Sequence, residues 1–101
     1  MASFVKVARR DEIADGSGKT VEVAGKKIAL FNAAGNFYAI ADSCVHRGGP
    51  LGEGELEGTT VTCPGHGWQY DVTTGCNTDD SKIQVASFPV RLEGDDILVE
   101  I

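Results

Sequence analysis

Cysteine is scarce and odd in number: Cys44, Cys63 and Cys76 are the only three. An odd count suits a reducing compartment and metal ligation better than a secreted disulfide framework. No apolar run approaches the core of a signal peptide or a membrane span, and the opening tract, Met1 to Arg10, is polar at every second or third step. The expectation is a soluble, cytoplasmic protein with no membrane partner. Basic residues are outnumbered 15 to 9, leaving a net charge of -6. Such a field repels phosphate backbones, so nucleic acid is not an expected partner, whereas a basic or dipolar protein surface is. No stretch sustains a 3.6-residue apolar period; only Asp11 to Ala14 suggests a helical turn. Linkers, repeats and low-complexity blocks are absent too. With 101 residues there is no room for a catalytic barrel or a two-lobed dinucleotide fold. The reading is one domain, 1–101.

What is present is β-rich. Apolar residues at 42% and charged residues at 24% are ordinary globular usage, which argues against disorder. Thr20–Ala24 alternates, Gly25-Lys26-Lys27 turns, and Ile28–Asn32 runs back. Ala34-Gly35-Asn36 turns again before Phe37–Ala41. Further strands are expected at Thr59–Thr62, Trp68–Asp71, Phe88–Leu92 and Ile97–Ile101, the last two joined by Glu93-Gly94-Asp95-Asp96. β-branched and aromatic residues fill these segments, as a half-buried pleated surface prefers. Short strands at this spacing predict an all-β fold, a small antiparallel sandwich or barrel.

The middle of the chain, roughly 42–75, differs from its flanks. It holds both histidines, two cysteines and the only tryptophan, amid glycine. Ser43 to Glu55 and Cys63 to Gly67 read as loops. Within them lie Cys44-Val45-His46 and Cys63-Pro64-Gly65-His66, a C-x-H and a C-x-x-H motif separated by sixteen residues. Each loop can present both of its side chains to one centre, and the intervening residues suffice for a hairpin that brings the loops face to face. Four soft or borderline donors then converge on metal. Zinc fingers usually group two cysteines and two histidines separately; one of each per loop suits a two-iron cluster better. A zinc-binding structural module stays as the alternative.

These motifs resemble the signature of Rieske-type [2Fe–2S] proteins. The tract Cys63-Pro64-Gly65-His66-Gly67-Trp68-Gln69-Tyr70-Asp71 with Thr74-Gly75 is similar to their second cluster loop, and Phe88–Asp96 to their final strand pair. The resemblance implies a Rieske-like fold in which two loops form a cluster-binding subdomain. It also implies one [2Fe–2S] cluster per chain, with Cys44 and Cys63 on the buried iron and His46 and His66 on the outer one. Two neutral imidazoles in place of two thiolates make the centre less negative, which raises its potential. An exposed imidazole ligand can also exchange a proton as the iron changes oxidation state.

Departures from the family narrow the subtype. Respiratory-chain members carry two further cysteines joined in a disulfide that clamps the loops; those places here hold Gly49 and Gly65. Cys76 does not fall in that role and is expected to be a free thiol. The high-potential group has a serine that donates to cluster sulfur where this chain has Trp68. Fewer donors near sulfur lower the potential, so a low-potential ferredoxin is expected. Tyr70 matches a tyrosine that hydrogen-bonds a cysteine sulfur, and equally reads as a strand core residue. Gly48, Gly49, Gly65 and Gly67 either bring amides close to sulfur or only turn the loops. Pro50 and Leu51 either cap the cluster or pack as ordinary loop residues, and Arg47 reads as a surface charge near the docking site.

The resemblance therefore implies a one-electron carrier between a flavin-containing reductase and a terminal oxygenase of the aromatic-ring dioxygenase type. Both histidines are already spent on the cluster, leaving none for a mononuclear oxygenase iron, and no nucleophile has a base beside it. No substrate turnover is expected. A small relay subunit of a larger reductase is the remaining redox alternative.

Overall fold

The computed structural model describes residues 3–43, 50–64 and 67–100. Among them the chain forms ten short strands: β1 (Phe4–Arg9), β2 (Ser17–Val23), β3 (Lys26–Ala33), β4 (Asn36–Ala41), β5 (Glu55–Glu57), β6 (Thr60–Thr62), β7 (Gln69–Asp71), β8 (Ser87–Phe88), β9 (Val90–Glu93) and β10 (Asp96–Glu100). They pair antiparallel in three sheets ordered β1-β10-β9, β2-β3-β4-β8 and β5-β6-β7. The only helical pieces described are two single 3-10 turns, Arg10–Glu12 and Leu51–Glu53.

The four-stranded sheet is the middle layer because β3 is apolar on both faces. Ile28 and Leu30, with Val21, Phe37 and Ala39, face a core completed by Ala8, Ile97 and Val99 of the terminal sheet. Ala29 and Phe31, with Ile40, face a second core completed by Leu51, Val61, Cys63, Tyr70, Val72 and Val85. A strand covered on both sides reads as a continuous apolar run, not as alternation. Residues 28–31 of β3 are accordingly fully buried.

Local chemistry sets the hairpins. β2 and β3 are joined through Ala24 and Gly25, and β3 and β4 through Ala34 and Gly35; all four residues have positive φ. Two positive φ values in a two-residue loop match the right-handed twist of the flanking strands. The first turn thus sits one residue earlier than glycine position alone suggests, and Lys26 and Lys27 join the strand. Asp15 Oδ1 supports the second turn by accepting the Ala34 N–H at 2.7 Å.

One expected strand is corrected, and one strand was not expected. Phe88–Leu92 is not one strand: β8 pairs with β4 in the middle sheet while β9 pairs with β10 in the terminal sheet, and Pro89 marks the crossover. Proline has no N–H to give a ladder, which makes it suited to a corner where a strand changes sheets. β1 is a strand that alternation does not announce. A register shift between Lys6 and Ala8 against β10 interrupts its period, as a bulge does.

Candidate metal centre

β6 and β7 are paired from Thr60↔Asp71 to Thr62↔Gln69, and the loop between them carries the second motif. Cys63 N–H donates to the Trp68 carbonyl at 2.7 Å, and Gly67 N–H donates to the Cys63 carbonyl at 3.2 Å. These bonds continue the ladder by one rung and hold Gly67 against Cys63. Gly67 sits in the left-handed region, φ 77°, where a side chain would be strained. Cys63 is held at the base of this loop and is 4% exposed, its thiol free of any disulfide.

The first motif lies between β4 and β5. Of this segment the structure describes both ends. Asp42, just past β4, is buried, and its N–H donates to the Lys27 carbonyl at 3.1 Å. The return is made by Pro50, which is exposed, and Leu51, which is fully buried. Leu51 shares its core with Cys63, and Gly54 lies against the Thr62 carbonyl so closely that a Cβ there would overlap it. The return of the first segment and the start of the second loop therefore meet at one end of the molecule.

Of the expected site residues, Cys63, Gly67, Trp68, Tyr70, Pro50 and Leu51 are described. Tyr70 is fully buried and Trp68 is partly buried against the same core, so both stand beneath the second loop. Cys44, His46, Arg47, Gly48, Gly49, Gly65 and His66 lie outside the described residues. Cys76 is a free, half-buried thiol whose S–H reaches Gln84 Oε1 at 3.6 Å. Sequence reading did not single out Asp42 or Gly52. The one signal was an acidic residue directly ending the apolar strand Phe37–Ala41.

Among the described residues of this end, acidic side chains stand exposed on β5. The ion pairs among the described residues, Lys6–Asp96, Arg9–Asp11, Lys19–Glu12 and Arg91–Glu93, include no residue of β5, β6 or β7. Glu55 and Glu57 are exposed on β5, next to the β6 strand that leads into Cys63.

A three-layered antiparallel fold with a buried thiol at the base of a Cys-Pro-Gly-His loop defines a class of iron–sulfur protein. Residues 3–89 match the Rieske [2Fe-2S] domain family, and the chain belongs to it. Its cofactor is a [2Fe–2S] cluster. The residues fit that group: the free, buried Cys63 thiol is a soft donor held in place by two backbone bonds, and the sequence supplies a second thiol and two imidazoles. The chain is 34% identical over 100 residues to the biphenyl dioxygenase ferredoxin subunit of Pseudomonas sp. (strain KKS102), covering 97% of this chain and 92% of that one. It superposes on the ferredoxin of carbazole 1,9a-dioxygenase from Nocardioides aromaticivorans IC177 with a TM-score of 0.89 at 28% identity, over 96% of each chain. It also superposes, with a TM-score of 0.86 and 28% identity over 95% of this chain and 91% of the other, on one chain of a complex of reduced oxygenase and oxidized ferredoxin in carbazole 1,9a-dioxygenase. Among the described residues no helix is long and apolar enough to cross a membrane.

Proposed function

We propose that this chain is the ferredoxin component of a multicomponent aromatic-ring oxygenase system in the cytoplasm. It takes single electrons from a flavin-containing reductase and delivers them to a terminal oxygenase. The observation that carries this reading is membership of the Rieske family by a chain that spans 92% of a dioxygenase ferredoxin subunit. A ferredoxin of the same fold has been seen in complex with its oxygenase.

In this reading 1–101 is one domain whose cluster-binding part covers roughly 42–75. Cys44 and Cys63 hold the inner iron, and His46 and His66 the outer one. When bound, the cluster supplies reversible one-electron transfer at a potential set by its ligands and surroundings. The chain's own part is positional. The Cys63–Trp68 and Gly67–Cys63 backbone bonds brace both ends of the second loop, which limits reorganisation when charge changes. The core around Leu51, Tyr70 and partly buried Trp68 excludes water behind the loop. Trp68 offers no hydroxyl to sulfur, so the potential belongs at the low end of the about −150 to +300 mV Rieske range. Exposed Glu55 and Glu57 favour a partner with a basic face around its own entry point.

Reconstitution tests the proposal. Purified holoprotein is expected to be reddish-brown, to become paramagnetic on one-electron reduction, and to be required for turnover by a reductase and terminal oxygenase pair. A colourless, zinc-loaded, normally folded protein would refute the electron-carrier role. Tight co-purification with one large reductase, and no support of any oxygenase, would replace it with the relay-subunit reading.

A further inference from the structure

Asp42 is the one carboxylate among the described residues that is buried, at 5% exposure. Its Oδ1 accepts the Gly52 backbone N–H at 2.6 Å and the Thr20 hydroxyl at 3.0 Å. Among the described residues no cation pairs with it. Burying a carboxylate without a counter-charge is costly, and charge-assisted hydrogen bonds of this kind are what offset it.

The neighbour is built for the contact. Gly52 is buried in the 3-10 turn Leu51–Glu53, and a Cβ there would overlap the Thr20 hydroxyl and lie 3.0 Å from Asp42 Oδ1. Only glycine lets the amide come this close. Asp42 and Gly52 stand on either side of segment 43–51, which carries Cys44 and His46. One hydrogen bond thus ties the point where the segment leaves the middle sheet to the point where it returns. Leu51, next to Gly52, is buried in the core that also takes Cys63. The clamp therefore references the first ligand segment to the second.

We propose that Asp42 is a positioning residue for the cluster. By accepting the Gly52 amide it closes the base of the segment whose sequence carries Cys44 and His46. A loop closed at its base has less freedom to lose when its side chains bind metal. The inference rests on the assignment of Cys44 and His46 as ligands made above.

The test uses holoprotein carrying D42A or D42N, with C44S and H46A as controls. Four properties are followed: bleaching by a chelator, electron paramagnetic resonance g values, midpoint potential, and hydrogen exchange at the Gly52 amide. D42A is expected to lose its cluster roughly tenfold faster or more, the scale seen when an outer partner of a metal ligand is removed. Its g values and potential shift, and the Gly52 amide exchanges faster. D42N keeps an acceptor oxygen and is expected to restore the parental bleaching rate and g values. A D42A protein that melts earlier but keeps parental g values, potential and bleaching rate overturns the positioning role. So does a D42N protein that folds yet bleaches like D42A. If D42A does not fold, exchange in the parent decides: a Gly52 amide as labile as an exposed turn overturns the clamp. C44S and H46A proteins that keep a parental cluster overturn the ligand assignment itself. Rapid bleaching of C44S beside unchanged D42A removes only the clamp.

Discussion

The two cores on either side of the middle sheet are built by different means. The one facing the terminal sheet takes all but one of its buried side chains from strands, Ile13 being the exception. The one facing β5, β6 and β7 takes Leu51 from a 3-10 turn and Val72 and Val85 from irregular chain, and it includes Cys63. The first core needs only apolar residues at strand spacing. The second needs particular backbone geometry, since its members arrive on loops that strand pairing alone does not place. The fold thus separates a scaffold that hydrophobicity can maintain from an end whose shape follows exact turns and a metal-binding loop.

The largest break in that comparison is at Cys63. C63S is expected to abolish cluster incorporation, read as loss of visible absorbance and of the reduced paramagnetic signal, while far-ultraviolet circular dichroism still reports β structure. Parental cluster content in C63S would contradict the ligand role.

Next come paired truncations on β3, whose neighbouring residues face opposite cores. Phe31→Ala, facing the Cys63 side, and Ile28→Ala, facing the terminal sheet, are expected to cost about 3–5 and 2–5 kcal/mol in denaturant unfolding of the holoprotein. The two differ in a second property. Phe31→Ala is expected to speed cluster bleaching, and Ile28→Ala to leave it unchanged under native conditions. Equal bleaching would show that the cores do not act separately.

Gly75 offers a smaller, sharper cut. It has φ 84°, and a Cβ would overlap the Val85 carbonyl. Gly75→Ala is expected to destabilise by about 1–3 kcal/mol, through strain and displacement of the irregular segment at Val85. Equilibrium unfolding measures it, and no loss of stability would mean that this approach is relaxed in solution.

The smallest effect belongs to the scaffold. Glu12 accepts from Lys19 Nζ at 2.9 Å and from the Arg9 N–H at 2.7 Å. The Lys19 bond first, then the Arg9 amide, holds its carboxyl below the ordinary glutamate range. A lowered folded pKa means the ionised form stabilises the fold above the unfolded pKa, and the gain is lost as pH falls through the folded value. Glu12→Gln is therefore expected to be slightly less stable than the parent at neutral pH, with the gap closing in acid below about pH 4. Salt is expected to narrow the gap as well, because the pair is solvent-facing. A gap that persists unchanged in acid would assign the effect to something other than the charge.

Much of the fold was legible because its signals are local. Glycine turns between β-branched runs announced the β2-β3-β4 meander, and the spacing of Cys44, His46, Cys63 and His66 announced a metal centre. What was not legible has physical reasons. β1 hides its period behind a bulge, and β5 is three residues long, below the length at which alternation is a signal. The 88–92 run looks continuous because proline's lost donor matters only once a neighbouring sheet is in place. Tyr70 could have been a sulfur donor or a core residue on sequence grounds; it is fully buried beneath the second loop, a place that suits either role.

Sequence alone determined the all-β character, the acidic balance and the two cysteine–histidine motifs, because each depends on residue type and near spacing. Only tertiary structure decided that Pro89 is the corner between two sheets, that Leu51 and Cys63 share one core, and that Asp42 reaches Gly52 and Thr20. Those facts depend on which distant segments become neighbours. That choice is made by the summed burial of both faces of β3, which no short window of sequence contains.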